Sequence, residues 1–445
     1  MFSLALRSVR KRPGRFVATL LSAFLGAAII MTFNSMHDTA GADGVDDVSA
    51  ESLTTAASVV GGYGTLLVFF AVASTLTVNV RQRGDEIGLL RSSGATPAQI
   101  KRMIVGEAAV VALVGSLLAI GPAMLGGQLL LDLFKDSGQV ADDVDFAFGP
   151  IALMSGTGIT LLASVGAAFL AVRRATRAAA GAGKPRGRVR GIAGVAAVLA
   201  GAGGVLSTFA LDKTDAALMA APAYGAILLS VGFALLSPKL LRALLGTLSG
   251  PIELLAGASG YLTVHHMRRR ADQLAGVLMP LIVFTGMATA TLYMQAVESD
   301  AIKASGLTKS VEDKNLETLN FVVVGIIVVF SCIMLINSLY AATSYRSREF
   351  GQQRLAGATP GQVLGMVGVE GLVLTATGVF FGTAAGLAGI LPFSSARSDT
   401  LVPDQGLGIW LTIVGVATAA TMITSVGTAR RALRTPAVQA VTLAA

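Results

Sequence analysis

Charge is scarce in this sequence. Of 445 residues only 13% are Asp, Glu, Lys or Arg, against about 25% in soluble domains, while 53% are hydrophobic and the mean hydropathy is +0.70. So little charge cannot clothe a soluble surface, and the chain reads as an all-α polytopic membrane protein. Cysteine is rarer still: Cys332 stands alone in an apolar run, which excludes an intramolecular disulfide and a cysteine-rich metal site. Three histidines remain; His265 and His266 are adjacent and would point about 100° apart on a helix, so no metal site is expected. A phosphate loop of the form G-x-x-x-x-G-K-[ST] is missing. The nearest string, AAAGAGKP at 178–185, lacks the first glycine and has Pro185 where Ser or Thr would hold magnesium. With no hydrolytic triad or carboxylate pair either, no catalytic site is expected. This chain is expected to bind no cofactor.

What is present is a series of apolar runs, each long enough to cross a bilayer as helix. Ten are counted, near residues 16–34, 56–80, 104–131, 149–172, 192–211, 217–236, 273–297, 319–343, 364–391 and 406–428. The first follows Arg7, Arg10, Lys11, Arg12 and Arg15. It is long for a signal core and has no A-x-A site close behind, so it reads as an uncleaved helix. With both termini in the cytoplasm, 28 of the 34 Lys and Arg residues fall on the cytoplasmic side and 19 of the 26 acidic residues in outer loops, the distribution that the positive-inside rule favours. The net charge of +8 is therefore topological, and no nucleic-acid partner is expected.

An internal repeat organises these spans. Shifting the chain by 263 residues aligns 83–107 with 346–370, with eleven identities in 25 positions. The core is RSSGATPAQ at 91–99 against RLAGATPGQ at 354–362. Weaker echoes flank it: Arg10–Arg12 against Arg268–Arg270, and RRATR at 173–177 against RRALR at 430–434. Each repeat is thus a four-helix unit, and the two share one orientation. Between them, GAGKPRGRVRG at 181–191 and two further spans form a linker. The division is 1–180, 181–257 and 258–445.

The repeated stretch reads as a helix stop followed at once by a helix start. Gly94 and Gly357 suit the left-handed residue that closes a helix; Thr96 and Thr359 suit an N-cap, with Pro97 and Pro360 at the first helical position and Gln99 and Gln362 completing a capping box. A short charged helix should precede each hinge, carrying Arg83, Glu86 and Arg91 in one copy and Arg346, Glu349 and Arg354 in the other. Glu107 and Glu370 lie ten residues into the next helix, about 15 Å along. Such a carboxylate must face protein or water, either as a contact that moves with the hinge or as the partner of a neighbouring Arg.

RQRGDEIGLLRSSGATPAQIKRMIVGE at 81–107 resembles the signature of FtsX-like, or MacB-type, ABC transporter permeases, and RSREFGQQRLAGATPGQVLGMVGVE at 346–370 keeps most of it, departing at Phe350, Gln352 and Gln353. The resemblance covers both four-helix units. It implies that each charged segment is a coupling helix docking on a separate cytoplasmic ABC ATPase dimer, through Arg83, Glu86, Gly88, Arg91, Gly94, Ala95 and Thr96 and through Arg346, Glu349, Gly351, Arg354, Gly357, Ala358 and Thr359. It further implies a permease subunit in a bacterial cytoplasmic membrane that exports or extracts an amphiphilic substrate such as a peptide antibiotic, lipid or hydrophobic drug. A mechanotransmitting signalling subunit without cargo, acting on an extracytoplasmic protein, is the alternative. Two departures from relatives stand out: only about twenty residues separate the first two helices of each unit, and the large domain that bacitracin-resistance permeases carry after the seventh helix is absent. An ion-coupled transporter would need midplane carboxylates, and none is convincing.

Overall fold

The computed structural model describes residues 17–54, 57–58, 88–90, 92–136, 138–179, 186–211, 217–304, 335–336, 339, 346–398, 400–401, 403 and 405–442. The described residues are helices and connecting turns, with no strand among them. The principal helices are α1 (Val17–Ala40), α2 (Pro97–Asp136), α3 (Pro150–Ala179), α4 (Arg186–Ser207), α5 (Ala217–Ala304), α6 (Ser347–Leu355), α7 (Pro360–Ser398), α8 (Gly408–Leu433) and α9 (Ala437–Thr442). They contain eight stretches apolar and long enough to cross a membrane, two of them in α5. The chain is an all-α polytopic membrane protein. The expected spans at 56–80 and 319–343 lie almost wholly outside the described residues, as do the basic N-terminus and Cys332. Compact packing separates the described residues up to 179 from those after 186, giving two units.

In the first unit small residues let the helices approach closely. A Cβ on Gly115 of α2 would lie 3.0 Å from the Ala23 Cβ and Phe24 nitrogen of α1, and Ala27, Met31, Ala119 and Ala123 continue this buried seam. The end of α1 starts α3. Pro150 opens that helix and has no N–H to satisfy, and the next two amides, Ile151 and Ala152, donate to the Asp38 carboxylate at 3.1 and 2.8 Å. Lys101 of α2 lies 3.8 Å above the Phe169 ring of α3.

The second unit is built around α5, whose 88 residues would extend about 130 Å if straight. Instead the helix doubles back. Arg242 pairs with Asp272, Gly246 lies against Arg268, and Gly286 against Ser230, so the two halves run antiparallel. Pro238 cannot donate to the carbonyl four residues earlier. Arg190 of α4 fills that gap, donating to the Ala234 and Leu235 carbonyls at 3.3 and 2.8 Å.

Glycines at a spacing of four set α7 against α5. A Cβ on Gly378 would stand 2.6 Å from the Leu281 Cβ, one on Gly382 2.6 Å from the Thr285 Cβ, and one on Gly386 2.9 Å from the Thr289 Cβ. This close approach is the helix packing that small residues permit in lipid. At the far end of these helices Arg397 grips Glu298 through two hydrogen bonds of 2.8 and 2.6 Å. Trp410, at the start of α8, donates its indole N–H to Thr383 at 2.9 Å.

Candidate functional site

Both hinges fold as their local chemistry dictates. Gly94 and Gly357 have φ of +91° and +100°, the left-handed region that a side chain disfavours. After Leu355 the chain closes with the Ala358 amide on the Gln353 carbonyl at 2.9 Å and the Gly357 amide on the Arg354 carbonyl at 3.1 Å, a complete Schellman stop. The Ala95 amide on the Leu90 carbonyl, also at 2.9 Å, repeats the first of these bonds in the first copy. The next helix begins at once in a capping box. The Gln99 amide donates to the Thr96 hydroxyl at 3.3 Å and the Thr96 amide to the Gln99 side chain at 2.9 Å. Thr359 and Gln362 exchange the same bonds at the same distances.

In the second unit the charged segment is latched onto the bundle. Arg346 sits between two carboxylates, with Nε 3.1 Å from Glu349 and a second hydrogen bond to Glu370. Its guanidinium also covers the Phe350 ring at 5.3 Å. Glu349 in turn meets Arg270 of α5 at 2.7 Å and His266 at 3.4 Å. Burial works against the Arg346 charge, but the carboxylates of Glu370 and Glu349 overcome it and raise its pKa. Burial likewise works against the Glu349 charge, and Arg346 and Arg270 hold its pKa below the ordinary range. Arg346 and Glu370 line one small cleft with Leu274, Val277 and Leu374, so the ion pair reaches in among the membrane helices.

Two more attachments complete the latch. Phe350 is fully buried among Val363 and Val367 of α7 and Ala429 of α8. Arg354 donates to the Leu433 and Thr435 carbonyls at 3.1 and 2.9 Å, where α8 ends and its last carbonyls lack helical partners. α9 packs on α6 as well. The short helix is thereby joined to α5, α7 and α8 together.

Among the expected site residues, Arg346, Glu349, Gly351 and Arg354 are turned into the unit, while Gly357 and Thr359 are exposed and Ala358 half-buried. Glu370 is brought to Arg346. In the first copy Gly88, Gly94 and Thr96 are exposed, Ala95 is half-buried, and Glu107 is buried; Arg83, Glu86 and Arg91 lie outside the described residues. Leu355 and Leu89, which sequence reasoning passed over, stand 57% and 70% exposed on the hinge segments. An apolar side chain left in water beside a charged stretch was the available signal. The attachments by Phe350 and by Arg354 to the end of α8 were also missed; the departure at Phe350 was visible, but its burial depends on helices that come later in the chain.

An all-α membrane bundle in which one capped hinge is used twice defines a polytopic membrane protein built on an internal repeat. The FtsX-like permease C-terminal family matches residues 58–180 and again 321–437. These two matches cover more than half of the chain, and the protein belongs to this family. Among curated proteins, the pyoverdine export ATP-binding/permease protein PvdT of Pseudomonas fluorescens strain Pf0-1 is 29% identical over 126 residues, 28% of this chain and 17% of that protein. Its counterpart in strain Pf-5 is 29% identical over 119 residues, 27% of this chain and 16% of the relative. The matched stretch thus spans less than a fifth of the length of these relatives.

Proposed function

We propose that the chain is the membrane permease subunit of an ABC transporter. The two hinge segments face the cytoplasm and dock on a separately encoded ATPase dimer, and nucleotide-driven closure of that dimer moves them to export or extract an amphiphilic substrate. Family membership supports the permease reading, and the similarity to proteins named for pyoverdine export supports outward movement. The observation that carries the coupling role is the latch of α6. A helix held at once to α5, α7 and α8 through Arg346, Glu349, Phe350 and Arg354 passes any push on its exposed face directly into the bundle.

That geometry divides the hinge residues by task. Leu89, Leu355, Gly357 and Thr359 lie on the open surface and suit docking, whereas Arg346, Glu349 and Arg354 are engaged within the protein and suit transmission. The chain carries no phosphate loop, so ATP and magnesium belong to the partner in this reading. A cargo-free mechanotransmitter would use the same latch. The distinction lies in whether an amphiphile or an external protein stimulates hydrolysis.

Co-purification with the neighbouring ABC ATPase, in detergent and in nanodiscs, tests the proposal. Leu89→Arg with Leu355→Arg should abolish the complex without altering the fold. Arg346→Gln should keep the complex and lose stimulation of ATP hydrolysis by cargo. If the wild-type chain binds no ATPase, the coupling role fails.

A further inference from the structure

The connecting pair, α4 and the first half of α5, has two unlike faces. On one, glycines bring the backbones together: a Cβ on Gly201 would lie 2.7 Å from the Leu229 nitrogen and 2.8 Å from the Gly225 oxygen, and one on Gly194 2.8 Å from Leu236. On the other, Ile192, Val195, Leu199 and Leu206 stand exposed in a stripe along α4. This stripe ends among cations. Lys239 lies with its ammonium against Gly191, and Arg268 with its guanidinium against Gly246. Arg242 is answered by Asp272, which also lies within electrostatic reach of Arg190. Lys239, Arg268 and Arg269 have no ion-pair partner among the described residues. The same end of the unit carries the latch, since the neighbouring Arg270 holds Glu349.

From these positions we infer that the connecting helices form a binding surface for an anionic phospholipid, its charged headgroup met by Lys239 and Arg268 and its acyl chains along the exposed stripe of α4. Basic pockets between transmembrane helices recognise such headgroups through the phosphate charge. A soluble phosphate would have no use for the stripe, and a zwitterionic headgroup would leave the cations uncompensated. Arg268 and Arg270 lie two residues apart on α5 and so point to nearly opposite faces of the helix, which puts the lipid and the latch at the same end of the unit on different sides of α5. The site does not depend on ATPase docking.

The test uses the full chain in nanodiscs, with phosphatidylglycerol and phosphatidylcholine compared as ligands by native mass spectrometry. Wild type should retain phosphatidylglycerol at least about tenfold more tightly, two basic residues each contributing near the surface. Lys239→Gln with Arg268→Gln should erase the preference at unchanged Tm, while Arg430→Gln with Arg431→Gln, exposed cations at the same end of the unit, should preserve it. If the double variant unfolds, Lys239→Gln and Arg268→Gln made singly should each reduce the preference. Equal retention of the two lipids overturns the inference, as does an unaltered double or single variant. Equal loss in the Arg430 and Arg431 control points to a diffuse basic surface and also overturns it. Displacement of the lipid by inorganic phosphate at matched concentration makes the ligand a soluble anion and overturns the lipid assignment.

Discussion

Arg346 answers two carboxylates that come from different places in the chain, Glu349 one turn ahead and Glu370 in the next helix. Removing its charge takes that partner from Glu370 in a partly dry setting, where an unpaired buried charge costs about 3 kcal/mol or more, and leaves Glu349 to Arg270 and His266. Arg346→Gln should therefore lower the Tm of the purified protein, and Arg346→Gln with Glu370→Gln should recover part of the loss. A double-mutant cycle that sums to zero would sever the pair. The depressed pKa of Glu349 sets the direction of its pH dependence. Its contribution is fully present above the ordinary Glu value of 4.5 and is lost only as pH falls through a lower folded value. Thermal melts at stepped pH should show the Glu349 contribution constant from pH 5 to 8, with wild type approaching Glu349→Gln only in more acid buffer.

At the scale of elements, the glycines divide into those required by conformation and those required by proximity. Nothing lies within 4 Å of a Cβ on Gly357, but its φ is +100°, so Gly357→Ala should cost about 1–2 kcal/mol through backbone strain alone. Thr359→Ala, which removes the cap, should cost about 1 kcal/mol. Gly382 is the other kind: Gly382→Ala would press on the Ile282 carbonyl at 2.8 Å and force α5 and α7 apart. Gly365→Ala on the same helix meets nothing within 4 Å and should be neutral or stabilising by up to about 1 kcal/mol. Chemical denaturation of these four variants against wild type checks the order. The hinge was legible residue by residue because caps, left-handed glycines and an opening proline act over four or five neighbours. The latch was not, since Arg354 and the carbonyls it reaches are 79 and 81 residues apart, and Glu370 left two readings open until its partner was located. Helix ends were also hidden: α2 runs from Pro97 to Asp136 where hydropathy marks only 104–131, because hydropathy registers the bilayer and helices continue past it.

For the whole molecule, the repeat fixes equivalence of plan but not of surface. The seam that places Gly115 on Ala23 returns with Gly378 on Leu281, residues offset by 263 and 258, the same two offsets that relate the hinges and the basic stretches before the first and seventh spans. In both repeats, therefore, the helix before the hinge segment's own span and the helix after the hinge pack alike. The hinge surfaces differ, however. Leu89 and Ser92 in the first copy align with Gln352 and Leu355 in the second, so the exposed leucine stands one helical turn further along in the second segment. In the proposed complex, a symmetric ATPase dimer meeting two unlike surfaces should not hold them equally. Leu89→Arg alone and Leu355→Arg alone should weaken ATPase association by different factors, at least about threefold apart for a difference of roughly half a kcal/mol or more, and the double variant should be weaker than either. Surface plasmon resonance of nanodisc-held permease against the ATPase separates the cases. Identical losses from the two single variants would mean that docking rests on the shared Gly-Ala-Thr backbone of the hinges and not on the leucines beside it.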